Sequence, residues 1–140
     1  VEDEPDSGMG QMALGNCLLH LGRPAEAAEH FQRMIELDSS LAGPHHNLGI
    51  CCFLQNQFED GIRHCQEALG IDPENPAIMH KLALAFIHLG RWREASEMRR
   101  RGLKADPYHE GLKSLPRNFW RIRLKRLGTK LLFWQRHHHI

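Results

Sequence analysis

The sequence lacks any long hydrophobic run. No apolar stretch approaches the roughly 18 residues that a membrane-spanning helix requires, although 41% of the 140 residues are hydrophobic. The N-terminal tail, residues 1–7, is acidic, whereas a secretory signal is basic and then apolar, and no methionine stands first. These absences predict a soluble chain without a transmembrane span and with a processed or excised N-terminus.

Motifs for metal binding and catalysis are also missing. The chain has no Cys-x-x-Cys, no His-Glu-x-x-His, no Gly-rich phosphate loop and no nucleophile motif. Its 11 histidines are therefore interpreted as polar surface or lining residues, and the His-rich tail, residues 137–140, is given no function. We expect no enzymatic activity, no metal and no cofactor.

The four cysteines show no disulfide or metal-ligand pattern. Cys17, Cys51, Cys52 and Cys65 all lie in apolar helical patterns, and two adjacent residues point about 100° apart on a helix. Free, buried thiols are predicted. Because free thiols are typical of a reducing compartment, we expect a cytoplasmic location.

What the sequence does contain is an internal repeat. Leu14, Leu48 and Leu82 are 34 residues apart, and each is followed by Gly or Ala. Small residues recur in the same frame at Ala27, Gly61 and Ala95. The repeat predicts three units within residues 8–109, with bounds 8–41, 42–75 and 76–109.

Each unit contains two blocks of apolar residues at helical spacing. The blocks are separated at Gly22, Asn56 and Gly90, residues that tolerate the left-handed conformation in which many helices end. Pro24 is acceptable in a first helical turn, and Asn75-Pro76 has the pattern of an N-cap followed by the first helical residue. Each unit is thus predicted to be a helix-turn-helix.

These features resemble the tetratricopeptide repeat family. The resemblance rests on Leu-Gly in the first helix, Ala27-x-x-x-Phe31 in the second, and Asp-Pro at the end of units two and three. It implies an all-α, helix-turn-helix solenoid that forms a right-handed superhelix and binds other proteins. The sequence departs from the family at Cys65 and Arg99, where the family has a large apolar residue, so the second-helix packing of unit three is the least secure.

The resemblance also implies a concave groove lined by the first helix of each unit. About half of the predicted lining is apolar, and an exposed apolar strip usually marks an interaction site. A partner peptide and the chain's own C-terminal segment are the two alternative occupants. The predicted groove residues are Met12, Asn16, Leu19, His20, His46, Asn47, Ile50, Phe53, His80, Lys81, Leu84, Ile87 and His88.

Part of this lining resembles the carboxylate clamp of chaperone adaptors, which uses two Asn and three basic side chains. Asn16, Asn47 and Lys81 match three of the five clamp positions. Met12 and Ala77 stand where the other two basic residues are expected, so much of the charge-assisted hydrogen bonding is lost. We predict that the chain has no effective clamp.

A different element is predicted after the third unit. Pro116 interrupts a fourth repeat, and Ser114 is a candidate cap for a basic amphipathic helix within residues 110–136. Its apolar face comprises Trp120, Leu124, Leu127, Leu131 and Trp134. We expect this face to pack on unit three or in the groove as a cap. The alternatives are docking of residues 117–136 on an anionic membrane or acidic partner, or a calmodulin-type target helix. Nucleic-acid binding is disfavoured because no base-stacking module is present.

Charge is distributed unevenly along the chain. Residues 1–75 carry 13 acidic and 3 basic side chains, a net charge of −10, and residues 76–140 carry 4 and 15, a net charge of +11. The predicted function is a scaffold or adaptor that holds an apolar or amphipathic peptide. The alternatives are head-to-tail self-assembly between unlike charges, which salt would weaken, and a regulatory module of a larger enzyme.

Overall fold

The computed structural model describes residues 8–117, and every regular element in that range is an α-helix. The first helices of the repeats begin at residues 8, 42 and 76, and the second helices begin at 24, 58 and 92. The predicted all-α, helix-turn-helix fold is confirmed. The helices are α1 (Gly8–His20), α2 (Pro24–Leu37), α3 (Ala42–Leu54), α4 (Phe58–Ile71), α5 (Pro76–His88), α6 (Trp92–Ala105) and α7 (Glu110–Lys113).

The turns within the repeats adopt the predicted left-handed conformation. Gly22, Asn56 and Gly90 have φ values of 71°, 61° and 73°, which Gly adopts without strain and Asn tolerates better than most residues. The caps also agree with the sequence. Asn75 accepts hydrogen bonds from the backbone N–H groups of Ala77 and Ile78, and Pro76 begins α5.

The chain divides into two compact units, which among the described residues are 8–73 and 74–117. In the first unit, α1 packs on α2, α2 on α3 and α3 on α4. In the second unit, α5 packs on α6, and α7 contacts both of them. Two stacked helix pairs therefore make up the first unit, and one pair with a short added helix makes up the second.

The first helix pair is closed by an aromatic side chain on its second helix. Phe31 of α2 is fully buried, and a Cβ atom added to Gly15 of α1 would lie 2.7 Å from the Phe31 ring. Leu19 and Ala27 belong to the same buried cluster. Gly15 is therefore required for the close approach of α1 and α2.

The second helix pair reverses this arrangement. Cys65 stands on α4 where Phe31 stands on α2, and its Sγ atom would lie 2.5 Å from a Cβ on Gly49. The aromatic side chain now comes from α3, because Phe53 lies against Gly61 of α4 and stacks on Phe58 with ring centroids 6.0 Å apart. Gly61 thus provides the space that Phe53 fills.

The fourth repeat starts in phase but stops early. α7 begins 34 residues after α5, at Glu110, and ends at Lys113, three residues before Pro116. Leu112 is buried against Gly102 of α6. Ser114 lies at the C-cap of α7, where its hydroxyl donates to the Gly111 carbonyl oxygen.

In unit three, Arg99 takes the position that Phe31 has in unit one, and its side chain reaches the segment that follows α7. Arg99 donates through Nε to the Leu115 carbonyl oxygen at 3.3 Å. Burial, and secondarily the charge of Arg117, lowers the pKa of the Arg99 guanidinium. The helix predicted over 117–136, with its apolar face, lies outside the described residues apart from its first residue.

The cysteine prediction needs one correction. All four thiols are free, and Cys51, Cys52 and Cys65 are buried, but Cys17 is exposed. Burial is the main cause that raises the pKa of Cys51 to about 12 and also raises that of Cys52. Cys17 differs because no helix of the described chain covers its side of α1, whereas α2 packs on α3.

Candidate functional site

The apolar residues of the predicted groove are not an exposed strip. Leu19, Ile50, Phe53, Leu84 and Ile87 are all between 0% and 8% exposed. Their burial means that a partner approaching either unit does not meet a bare apolar surface at these positions. The polar members of the predicted groove are the accessible ones.

Two of the apolar residues lie inside helix pairs. Phe53 is packed between α3 and α4, against Gly61 and Phe58, and Leu19 belongs to the buried cluster with Ala27 and Phe31. The prediction that Phe53 faces a partner is therefore wrong. The physical reason is Gly61, which leaves room for the ring where the first pair has Ala27.

In the first unit, the accessible groove residues lie on α1 and α3. Met12, Asn16, His46 and Asn47 are half-buried, and His20 is exposed. The Met12 methyl group would lie 3.0 Å from a Cβ on Gly43, so Met12 lies over the start of α3. These five residues form the surface that we call the α1–α3 face.

The centre of the α1–α3 face is a pair of carboxamides. Asn47 donates from Nδ2 to Asn16 Oδ1 at 3.1 Å and also contacts Met12 Sδ at 3.8 Å. The His20 ring donates from Nδ1 to the Asn16 carbonyl oxygen at 2.8 Å. The hydrogen bond between the two side chains orients both amides and leaves Asn16 with two side-chain N–H donors and Asn47 with a carbonyl acceptor.

The α1–α3 face contains no formal charge. Neither α1 nor α3 includes a single Asp, Glu, Lys or Arg, whereas α2 and α4 together contain five Glu, one Asp and two Arg. Asn16 and Asn47 therefore act as uncharged hydrogen-bonding groups. Their chemistry matches the N–H and C=O groups of a peptide backbone.

In the second unit, His80, Lys81 and His88 are the accessible members of the predicted set, and each is half-buried. His80 lies edge-on to His109, the N-cap of α7, with ring centroids 5.4 Å apart. A Cβ on Gly111 would lie 2.7 Å from His80 Nδ1. Residues 109–111 therefore partly cover the side of α5 that carries His80.

Polar side chains also meet inside the helix pairs, at positions that the sequence did not predict as a site. In the first pair, His30 Nδ1 donates to Gln11 Oε1 at 2.6 Å. In the second, His45 Nε2 donates to the Ser39 carbonyl oxygen at 3.0 Å, and His45 Nδ1 lies 3.2 Å from Glu67 Oε2. The 34-residue period relates these positions, because His45 is the counterpart of Gln11 and His64 is the counterpart of His30.

Within residues 8–117, no group of three or more His, Cys, Asp or Glu side chains could hold a metal ion. No helix of that same part of the chain is long and apolar enough to cross a membrane.

Comparison with known proteins identifies the repeats. Two family models described as tetratricopeptide repeat match this chain, one over residues 9–41 and the other over residues 53–115. The matched segments contain α1–α2 and most of the remaining described helices.

Curated relatives resemble the chain over a small part of their own length. Mouse sperm-associated antigen 1 is 31% identical over 81 residues, which are 58% of this chain and 9% of that protein. A probable UDP-N-acetylglucosamine–peptide N-acetylglucosaminyltransferase, SPINDLY of Petunia hybrida, is 25% identical over 74% of this chain and 11% of its own length. The chain therefore spans about a tenth of these relatives.

Solved structures share the fold. The first tetratricopeptide domain of Spaghetti (RPAP3), bound to the HSP90 peptide SRMEEVD, has a TM-score of 0.79 at 16% identity, covering 86% of this chain and 96% of that chain. MamA has a TM-score of 0.74 at 18% identity, covering 96% of this chain and 77% of that chain. Together with the two family models, these structures show that the chain belongs to the tetratricopeptide repeat family.

Proposed function

We propose that this chain is a non-enzymatic interaction module that holds an extended, largely uncharged peptide segment of a partner protein on the α1–α3 face. The observation that carries the proposal is the Asn16–Asn47 pair, whose mutual hydrogen bond leaves side-chain donors and an acceptor accessible. The peptide backbone offers the complementary acceptor and donors. The tetratricopeptide domains of RPAP3 whose structures include HSP90 or HSP70 peptides support peptide binding as the function of the fold.

The absence of charge on α1 and α3 supports an uncharged ligand over an acidic tail. A carboxylate clamp depends on charge-assisted hydrogen bonds, which are roughly twice as strong as neutral ones. Met12 contributes a thioether where a clamp needs a cation. The amide pair therefore favours a backbone segment over a terminal carboxylate.

The alternatives have less support. Head-to-tail assembly needs an open face on α6, which is the second helix of the third repeat. Within the second unit, however, α7 and Leu115 already lie on α6. The proposed membrane contact of residues 117–136 falls almost wholly outside the described residues and stays a prediction, as does a cytoplasmic location. No feature of residues 8–117 favours a regulatory role in a larger enzyme.

The test uses heptapeptides displayed on phage and selected on the full chain, followed by calorimetry with the enriched peptides. Replacing Asn16 and Asn47 together with Ala should weaken binding by about 1–3 kcal/mol, because each neutral hydrogen bond contributes about 0.5–1.5 kcal/mol. Gln66→Ala, an exposed substitution on α4, is the matched control and should leave affinity unchanged. Equal binding by the double variant and the parent chain would refute the proposed site.

The peptide SRMEEVD and its C-terminally amidated form test the nature of the ligand. We expect no binding of either form in the micromolar range. Micromolar affinity that disappears on amidation would instead show a working carboxylate clamp and would overturn the proposal of an uncharged ligand.

A further inference from the structure

Three helices of the chain begin with different cap residues at one position of the repeat. Leu41, Asn75 and His109 are 34 residues apart and are the N-caps of α3, α5 and α7. The Leu41 side chain makes no cap hydrogen bond, whereas the side chains of Asn75 and His109 both accept one from the backbone. Of these three cap residues, only His109 changes its charge near neutral pH.

The His109 cap requires a neutral ring. His109 Nδ1 accepts a hydrogen bond from the Leu112 backbone N–H at 3.2 Å, so Nδ1 carries a lone pair and, in the neutral ring, Nε2 carries the proton. In a protonated imidazole both nitrogens are donors. The ring would then point an N–H group at the Leu112 N–H, and the cap hydrogen bond could not form.

A second histidine lies beside the cap. The His80 ring of α5 is edge-on to the His109 ring, with centroids 5.4 Å apart, and His80 Nδ1 would lie 2.7 Å from a Cβ on Gly111 of α7. Acid that protonates both rings places two like charges at this distance, which disfavours the charged forms. The contact between α5 and the start of α7 is therefore weakened by the same protons that break the cap.

Other charged groups surround this junction. The Asp106 carbonyl oxygen, at the C-cap of α6, accepts from the His109 backbone N–H at 3.3 Å, and Glu110 pairs with Lys113 on α7 at 3.5 Å. Farther along α6, the Arg99 guanidinium donates to a backbone carbonyl oxygen beyond α7 at 3.3 Å. The carboxylates of Asp106 and Glu110 favour an imidazolium. Because both are within three residues of His109 in the sequence, they do so whether α7 is docked or released, whereas the cap bond exists only in the docked state.

The cap holds a very short helix in place. α7 has four residues and contacts both α5 and α6. Its Leu112 is fully buried against Gly102, and Leu115 just beyond it is 2% exposed. We propose that His109 is a pH-sensitive switch that docks α7 when neutral and releases it when protonated. Release exposes Leu112 and Leu115 and uncovers the side of α5 that carries His80.

The direction of the switch follows from where the proton can bind. An ordinary imidazole takes up its proton near pH 6.5, and only the released state can do so at Nδ1 without losing the cap hydrogen bond. Docking is therefore favoured above about pH 6.5 and is progressively lost below it.

The test is the hydrogen-exchange protection of the Leu112 backbone N–H in the full chain at pH 7.5 and 5.5, corrected for the intrinsic pH dependence of exchange. We expect the protection to fall about tenfold. This is the factor by which a group of pKa 6.5 that is protonated only in the released state shifts the equilibrium over that interval. The Ile78 N–H, which donates to Asn75, is the internal control and should keep its protection.

Variants at the cap separate the roles of the two histidines. His109→Asn gives α7 the cap residue of α5, which does not titrate, and the Leu112 protection should then be equal at both pH values. His109→Leu gives α7 the cap residue of α3 and should lower the protection at both. His80→Gln should retain part of the fall, because the His109 cap is still lost in acid.

Equal Leu112 protection at the two pH values in the parent chain would overturn the proposal, as would a fall of the same size in His109→Asn. If His109→Asn does not dock α7 at pH 7.5, the ¹⁵N resonance of His109 Nδ1 in the parent chain decides instead. Its titration should share one midpoint with the loss of Leu112 protection, and a different midpoint would also contradict the switch.

Discussion

The two helix pairs of the first unit achieve the same close packing with their large and small residues exchanged. In the α1–α2 pair, the aromatic ring is Phe31 on the second helix, opposite Gly15, and the same buried cluster contains Leu19 of α1 and Ala27 of α2. In the α3–α4 pair, Cys65 replaces the ring, Phe53 replaces Leu19 and Gly61 replaces Ala27. The large side chain thus moves from one helix to the other between the two pairs, and a small residue faces it in both.

The polar contacts inside the two pairs differ in the same way. Gln11 and His30 form one hydrogen bond in the first pair. At the corresponding positions the second pair has His45 and His64, and Glu67 lies beside His45. The first pair therefore contains one histidine and an amide at these positions, and the second contains two histidines with a carboxylate beside one of them.

The largest effect is expected at Phe53, the fully buried aromatic residue of the second pair. Phe53→Ala should lower the free energy of unfolding by about 3–5 kcal/mol, as is usual when a buried Phe is truncated. Phe31→Ala is the matched variant of the first pair and should cost a similar amount. Both are measured by denaturant unfolding. A cost below about 1 kcal/mol for Phe53→Ala, typical of a surface position, would show that Phe53 does not fill the space between α3 and α4.

A smaller effect is expected at Gly61. A methyl group there would meet the Phe53 ring and lie 2.9 Å from the Gly49 carbonyl oxygen. Overpacking costs about 1–3 kcal/mol and Ala returns about 1 kcal/mol of helix propensity, so Gly61→Ala should cost roughly 1 kcal/mol net. Gly70→Ala on the same helix has no atom within 4 Å and should be neutral or stabilising.

Adding Phe53→Leu to Gly61→Ala recreates the Leu19 and Ala27 combination of the first pair. The double variant should be more stable than the sum of the single changes by about 0.5 kcal/mol or more, the range seen for residues in contact. If the free-energy changes of the two single variants simply add, the two positions do not compensate for each other.

The smallest effect is a dependence of stability on pH that arises from His64 in the second pair. Burial is the main cause that lowers the pKa of His64 below its ordinary value of 6.5, although the nearby Glu67 raises it. In the window below 6.5, the folded protein then binds fewer protons than the unfolded chain. The stability contributed by neutral His64 is therefore complete above about pH 6.5 and is lost as the pH falls.

Urea unfolding between pH 7.5 and 5.5 checks this dependence. His64→Gln should flatten the part of the curve below pH 6.5, and His30→Gln serves as the control at the same position of the first pair. A curve that is unchanged by His64→Gln would show that another group causes the pH dependence.

The sequence predicted the fold because each local signal agreed with the period. Gly22, Asn56 and Gly90 mark the turns, Asn75 caps α5, and small residues recur where helices cross. The error at Phe53 has a different origin. Whether a residue at that position points into the pair or outward depends on the volume of its neighbour across the pair, and the family pattern of single positions does not record that pairwise relation.

Cysteine burial and the asparagine hydrogen bond depend on which helices lie next to each other in the folded chain. Cys17 and Cys51 share one position of the period, yet among the helices of residues 8–117 only those beside Cys51 include one that covers the thiol, so burial could not be assigned from the pattern alone. The Asn16–Asn47 hydrogen bond could not be inferred either, because it joins side chains 31 residues apart on different helices. The exposure of Asn16 and Asn47 depends on how α1 and α3 lie beside each other, which the sequence does not give directly.

The uncharged α1–α3 face also has a kinetic consequence. At physiological ionic strength, charges more than about 8 Å away are largely screened, so the carboxylates of α2 and α4 give an approaching peptide little long-range guidance. Association should then proceed at the unsteered rate, about 10⁵–10⁶ M⁻¹s⁻¹. Differences in affinity among peptides that use this face will therefore appear mainly as differences in how long each one stays bound.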